Sequence, residues 1–161
     1  MKTVAYITAL GLSSLSMIAN AHVGVVNTQL PYAIAGKSFE LVLTVPHGCT
    51  NPLDSTKELD TYKVEVTTPA TFSSVRPIID GVFGQPTHTS TDSGVTTTFL
   101  WTKPATLDSA SDDQSYRVGL RGTVAATTAF TKLTFNTKQY CKNPSGGDDV
   151  VRDWSNYVAT D

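Results

Sequence analysis

Charged side chains are scarce: Asp, Glu, Lys and Arg make up 16% of the 161 residues, 12 basic against 14 acidic, for a net charge of −2. Without a basic excess there is no field to hold a polyanion, which excludes nucleic acid as the expected partner. The periodic stripes of Glu, Lys and Leu that build helical proteins of this size are also missing. No apolar run reaches the about 20 residues that a membrane-spanning helix needs. The chain has no G-x-S-x-G elbow, no phosphate-binding glycine loop and no H-E-x-x-H helix, so the sequence makes no case for a hydrolase. The adjacent carboxylates Asp112 and Asp113, and Asp148 and Asp149, fall in turn-like stretches where solvation or turn hydrogen bonding accounts for them.

What is present is Thr, Val, Ser, Gly and Pro, the residues of extended strands and tight turns. Alternation of period two predicts strands over residues 23–28, 38–45, 62–67, 95–102, 116–120 and 131–140, with a short edge piece at 75–79 limited by Pro77. The clearest is SFELVLTV, with Phe39, Leu41, Leu43 and Val45 on one face and Pro46 ending it. In TKLTFNTKQY the residues expected to face inward are Leu133, Phe135 and Thr137. Residues 47–61 and 81–94 read as long loops, 107–115 as an acidic loop, 143–149 as a wide turn and 150–161 as a tail. Residues 124–130 fit a strand or a short helical turn equally well. About seven to nine short antiparallel strands in one domain is the pattern of an immunoglobulin-like β-sandwich.

Residues 1–21 read as an export signal. Lys2 gives the positive start, residues 4–18 are mostly apolar, and Ala19-Asn20-Ala21 is a small-x-small cleavage site. Cleavage there leaves a domain of residues 22–161 that begins with His22, in the periplasm or outside the cell. In that oxidising setting the two cysteines, Cys49 and Cys141, are expected to form a disulfide rather than to serve as thiolate metal ligands. Closing so long a loop is worth about 4 kcal/mol in the chain-entropy model.

Processing would place an imidazole and a free amine on the same residue, His22. Both can donate lone pairs near neutral pH, and nitrogen ligands in a tetragonal arrangement suit Cu(II). A second histidine, His47, is held between Pro46 and Gly48 beside Cys49, a setting that suits a ligand as well as it suits a surface residue. His88 is expected to face solvent and Trp101 the core. Trp154 lies near the chain end, where a large aromatic must dock to be ordered, as a hydrophobic plug or as a wall over a metal site.

Taken in order, a mature start His22-Val23, the strand end Val45-Pro46-His47-Gly48-Cys49, the late Gln139-Tyr140-Cys141 and the closing Trp154 resemble the YcnI-like family, also known as the DUF1775 domain. The resemblance covers nearly all of the mature chain. It implies a β-sandwich of copper homeostasis with a mononuclear Cu(II) centre on the N-terminal histidine, assisted by a carboxylate and with a tryptophan close by. His22 matches the brace histidine and Trp154 the late tryptophan. Asp54, Glu58 and Asp153 are each candidates for the carboxylate, with Glu58 taken into the expected ligand set, and His47 offers a second histidine in its place.

The expected function is therefore a non-enzymatic, exported Cu(II)-binding protein, a metallochaperone or a storage and sensing protein, with His22, His47, Glu58 and Trp154 at the metal. A copper transporter or chaperone of the envelope would be its partner. Two other functions compete. One is an oxidative copper enzyme resembling polysaccharide monooxygenases, which needs a second histidine and a flat aromatic face. The other is a secreted sandwich for adhesion or protein binding, in which His22 plays no part.

Overall fold

The computed structural model describes residues 23–26, 32–45, 48–79, 82–91, 95–103 and 115–161. In chain order the strands are β1 (Gly24–Val25), β2 (Ser38–Val45), β3 (Cys49–Asn51), β4 (Asp54–Leu59), β5 (Thr61–Thr67), β6 (Phe72–Ile78), β7 (Thr87–Ser90), β8 (Thr97–Thr102), β9 (Tyr116–Val124), β10 (Lys132–Cys141) and β11 (Val150–Ala159). Nine of them build a four-stranded sheet, β1-β2-β9-β6, and a five-stranded sheet, β11-β10-β5-β8-β7. The remaining two, β3 and β4, form a separate hairpin. All these strand pairs are antiparallel, and the expected all-β sandwich is the fold observed. After β1 the chain changes sheets: Ala33 bridges Thr160 in parallel beside the end of β11.

The alternation of hydrophobic residues fixes which faces meet. In β2 it buries Leu41, Leu43 and Val45, and in β10 it buries Leu133, Phe135, Thr137, Gln139 and Cys141. Val64, Val66, Phe99 and Trp101 from the five-stranded sheet share the core with Phe72, Val118 and Leu120 from the four-stranded one. Phe72 and Phe135 meet edge to face across it, ring centroids 5.3 Å apart at 84°. Gly122 makes room for that contact, because a Cβ there would lie 2.7 Å from the Phe72 ring. Two pairs of inward polar side chains are hydrogen-bonded to each other, which offsets the cost of their burial. Asn156 Nδ2 donates to Thr137 Oγ1 at 3.1 Å, and Gln139 Nε2 to Thr61 Oγ1 at 2.6 Å.

Several expectations need correction. The long loop at 47–61 contains the β3–β4 hairpin, whose turn is built by side chains. The Asn51 side-chain oxygen accepts from Leu53 N–H at 2.9 Å, and Asp54 accepts from Thr56 N–H and hydroxyl at 3.1 and 2.6 Å. The connection at 81–94 contains β7, an exposed edge strand of Thr87, His88, Thr89 and Ser90. The tail at 150–161 is largely the ten-residue edge strand β11, paired with β10 along its whole length. Period-two alternation in YKVEVT would put Tyr62 on one face with Val64 and Val66, but the register shifts between Tyr140 and Cys141 and turns it away from their buried face. Residues 124–130 resolve into the end of β9 and a single 3₁₀ turn, Ala126–Thr128. The edge piece at 75–79 is the outer part of β6, an edge strand of the four-stranded sheet. Of the strand expected at 23–28, β1 accounts for Gly24–Val25, and residues 27 and 28 lie outside the described residues, as does most of the acidic loop at 107–115.

Candidate functional site

A disulfide joins β3 to β10, as expected. Cys49 and Cys141 are bonded with Cα atoms 5.9 Å apart and 92 positions apart in sequence, and both are buried. At the same end the two strands of the hairpin approach closely. Gly48 lies so close to the carbonyl of Leu59 that a Cβ on it would overlap that backbone. Beside the bridge, the Tyr62 hydroxyl donates to Asp149 at the end of the 143–149 turn. Burial, then the bond to Asp149 and its negative charge, push the Tyr62 pKa up to about 12. An open depression of about 470 Å³ adjoins this region, lined by Glu58, Leu59, Asp60, Lys142 and Asn143 among others.

The expected copper ligands fall as follows. His22 and His47 lie outside the described residues. Their neighbours are described: Val23 and Val45 are buried, and Gly24 pairs with Thr44. Glu58 is half-buried on β4, across the hairpin from Thr50. Asp54 is committed to the hairpin turn, where its bonds to Thr56 and its ion pair with Lys57 at 3.1 Å hold its carboxyl below the usual range. Trp154 sits mid-strand in β11, opposite Thr137, and packs against the core, so it forms part of the sandwich wall and does not cap an end. Asp153, its neighbour, is exposed. Strand geometry sends adjacent side chains to opposite faces, so Asp153 and Trp154 do not converge. Among the described residues no three His, Cys, Asp or Glu side chains gather in a metal-ligating group. His88 is exposed as expected, its ring 5.7 Å from that of Phe99, and Trp101 is a core residue.

A feature that sequence reading did not single out is the outer face of the five-stranded sheet. Tyr140 donates to Glu65 at 3.2 Å, Lys138 lies 3.9 Å from the same carboxylate, and the Lys63 ammonium sits 3.9 Å over the Tyr140 ring. Burial, then the charge of Glu65, raise the Tyr140 pKa. Further along, the Lys132 ammonium lies 5.8 Å from the ring of Tyr157, which is 59% exposed. Alternation in YKVEV and TKLTFNTKQY does send these residues outward, but only the pairing of β5, β10 and β11 shows that they share one surface.

No protein-family model and no curated protein sequence matches the chain. Among solved structures it is similar to an uncharacterized protein from Nocardia farcinica with an immunoglobulin-like fold, at a TM-score of 0.60 and 16% identity over 87% of this chain and 98% of that one. It is similar also to the cohesin of a type I cohesin–dockerin complex from Clostridium thermocellum, at 0.56 and 6% identity over 86% and 96% of the two chains. A third is the sixth cohesin of scaffoldin B from Acetivibrio cellulolyticus, in complex with a Cel5 dockerin, at 0.52 and 10% identity over 81% and 94%. These likenesses identify the fold as an immunoglobulin-like sandwich. No helix among the described residues is long and apolar enough to cross a membrane.

Proposed function

We propose that the protein is an exported, non-catalytic binding domain that docks a protein partner on the outer face of its five-stranded sheet. The observation that carries this reading is the face itself. Tyr140 and Tyr157 stand among Lys63, Lys132, Lys138 and Glu65 on the outer face of the sheet, Lys63, Glu65 and Tyr140 half-buried and Lys132, Lys138 and Tyr157 exposed. Five strands span about 24 Å, and at a mean strand length near 25 Å they present about 600 Å². A standard protein interface takes about 800 Å² from each partner and favours tyrosine at its centre within a polar rim. The cohesins of similar fold, crystallised with dockerins, support the same reading, and the disulfide together with the leader-like residues 1–21 supports export. The test places a photo-crosslinking amino acid at Tyr157 or, as a control, at exposed Ser55 on β4, in the mature protein exposed to the producing cells' secreted and envelope proteins. A discrete adduct at 157, competed by unlabelled protein and missing at 55, is expected. The same adducts at both positions, or none, would refute the docking face.

A second reading is a Cu(II) site built on the amine and imidazole of His22, which the resemblance to the YcnI-like family supports. One observation favours it. Because β1 and β2 are antiparallel with Gly24 opposite Thr44, the chain before Gly24 and the chain after Thr44 leave the sheet at the same end, and those stretches carry His22 and His47. β1 also lies against β11, the strand of Trp154. Electron paramagnetic resonance of Cu(II) added to protein beginning at His22 is the test. Nitrogen hyperfine structure that disappears when one residue precedes His22 supports the site, and identical spectra from both proteins eliminate it.

A further inference from the structure

Three of the chain's four arginines stand on β6 and β9, and two of them face each other: Arg76 is the cross-strand partner of Arg121, while Arg117 lies further along β9. Like charges directly opposite in a ladder destabilise a sheet, so the fold alone gives no reason for the Arg76–Arg121 pair. One carboxylate is near. Glu40 of β2, opposite Arg121 on its other side, approaches that guanidinium at 3.5 Å in a solvent-exposed contact of the kind that contributes little. Among the described residues Arg76 has no ion-pair partner.

The two arginines border an open depression of about 400 Å³, completed by Ser38, Ser74, Gly122 and Thr123. The β6 strand is irregular at this point. Its register steps from Ser73 opposite Thr123 to Arg76 opposite Arg121, so one extra residue is accommodated. Within that bulge Ser74 holds φ at 52°, in the left-handed region that serine seldom occupies. Bulges of this kind redirect side chains and concentrate at binding sites. The result is a concavity supplied with donors: two guanidinium groups that cannot accept, and three hydroxyls that can turn to donate. A carboxylate is satisfied by one arginine fork, whereas two forks from adjacent strands with hydroxyls around them suit a group with more oxygens and a charge near −2.

We infer that this depression, lined by Arg76 and Arg121 on the outer face of the four-stranded sheet, binds a tetrahedral oxyanion, the phosphate or sulfate group of a ligand met outside the cell. The site lies on the opposite sheet from the proposed docking face and stands independently of it. The test uses the mature domain with inorganic phosphate and, separately, inorganic sulfate, ionic strength being held constant with sodium chloride because exposed charges are screened. Thermal unfolding and amide NMR shifts are followed together. Phosphate or sulfate is expected to raise Tm and to shift the signals of Ser74, Arg76 and Arg121. In Arg76→Gln the affinity should fall about tenfold or more, as the loss of a charge-assisted fork implies.

Without added oxyanion, Arg76→Gln should melt no lower than the unaltered protein, since it removes the like-charge contact, and this separates lost binding from lost folding. A stronger response to phosphate assigns the ligand to phosphate esters, a stronger response to sulfate to sulfate esters, and equal responses to tetrahedral charge in general. An unchanged response in Arg76→Gln, or no response to either ion in the unaltered domain, would overturn the inference.

Discussion

Replacing both cysteines, Cys49→Ala with Cys141→Ala, should lower the melting temperature by about 16 °C. The bridge closes a loop with a sequence separation of 92. The chain-entropy relation gives such a loop a stabilisation of about 4.6 kcal/mol at 25 °C. Unfolding entropy near 2.1 cal/mol/K per residue gives about 290 cal/mol/K for a domain of about 140 residues, and the quotient of the two is the expected shift. Packing adds to the loss, because the sulfurs share a small buried cluster with Leu59 and Val150. The assay is thermal unfolding followed by circular dichroism, with reversibility checked on cooling. Amide hydrogen exchange should locate the earliest opening in β3 and β4, which form a sheet of their own and depend on the bridge. A fall of less than about 5 °C, with the hairpin still protected, would refute the claim that the disulfide anchors this end of the sandwich.

Phe135→Ala empties a fully buried site in contact with Phe72 and should cost about 3–5 kcal/mol in urea unfolding; a cost under about 1 kcal/mol would contradict the core described here. Gly48→Ala should destabilise by about 1–3 kcal/mol, since the obstacle is the Leu59 backbone and not a movable side chain, whereas Gly122→Ala meets the Phe72 ring edge as well as the Ser73 carbonyl and should disturb the aromatic contact in near-ultraviolet dichroism. The Tyr62 pKa is raised from 10.0 to about 12 in the folded protein, so its contribution to stability is complete below pH 10 and is lost as pH rises from 10 towards 12. Tyr62→Phe should flatten the stability profile over that interval and remove one late-ionising tyrosine from the ultraviolet titration. Loss instead of a tyrosine that ionises near the ordinary value of 10.0 would show that burial and Asp149 do not hold the hydroxyl protonated.

The parts of the fold legible in the sequence are those where one face is apolar. SFELVLTV matches β2 residue for residue because Leu41, Leu43 and Val45 alternate with Glu40, Val42 and Thr44, and all three are buried. β10 is legible within one residue at each end for the same reason. The missed strands lack that signal. THTS of β7 is exposed throughout, DSTKEL of β4 buries only Leu59, and VVRDWSNYVA of β11 carries Arg152, Asp153 and Asn156 where a core strand would carry aliphatic residues. Pairing with a neighbouring strand, and for the β3–β4 hairpin the disulfide as well, places these strands without that periodicity.

The candidate surfaces were less legible than the fold because they arise from register. Nothing local in SSVRPI or YRVGLRGTV says that Arg76 will oppose Arg121, and neither YKVEV nor TKLTFNTKQY announces that Glu65 will meet both Lys138 and Tyr140. Histidine and tryptophan draw attention in a sequence because their chemistry is specific. Here that signal marks His22, His47 and Trp154, while the aromatic and charged outer face of the five-stranded sheet is built from common residues brought together by three strands.

The central claim, docking of a protein partner on the five-stranded face, is tested most directly by the affinity of Tyr140→Ala and Tyr157→Ala for the partner captured by cross-linking at position 157. Loss of a hot-spot tyrosine from an interface typically costs 2 kcal/mol or more, about thirtyfold in affinity. Each variant is therefore expected to bind about thirtyfold more weakly, with Tm unchanged at Tyr157, whose ring is largely exposed. Affinities within about threefold of the unaltered protein for both variants would contradict the account.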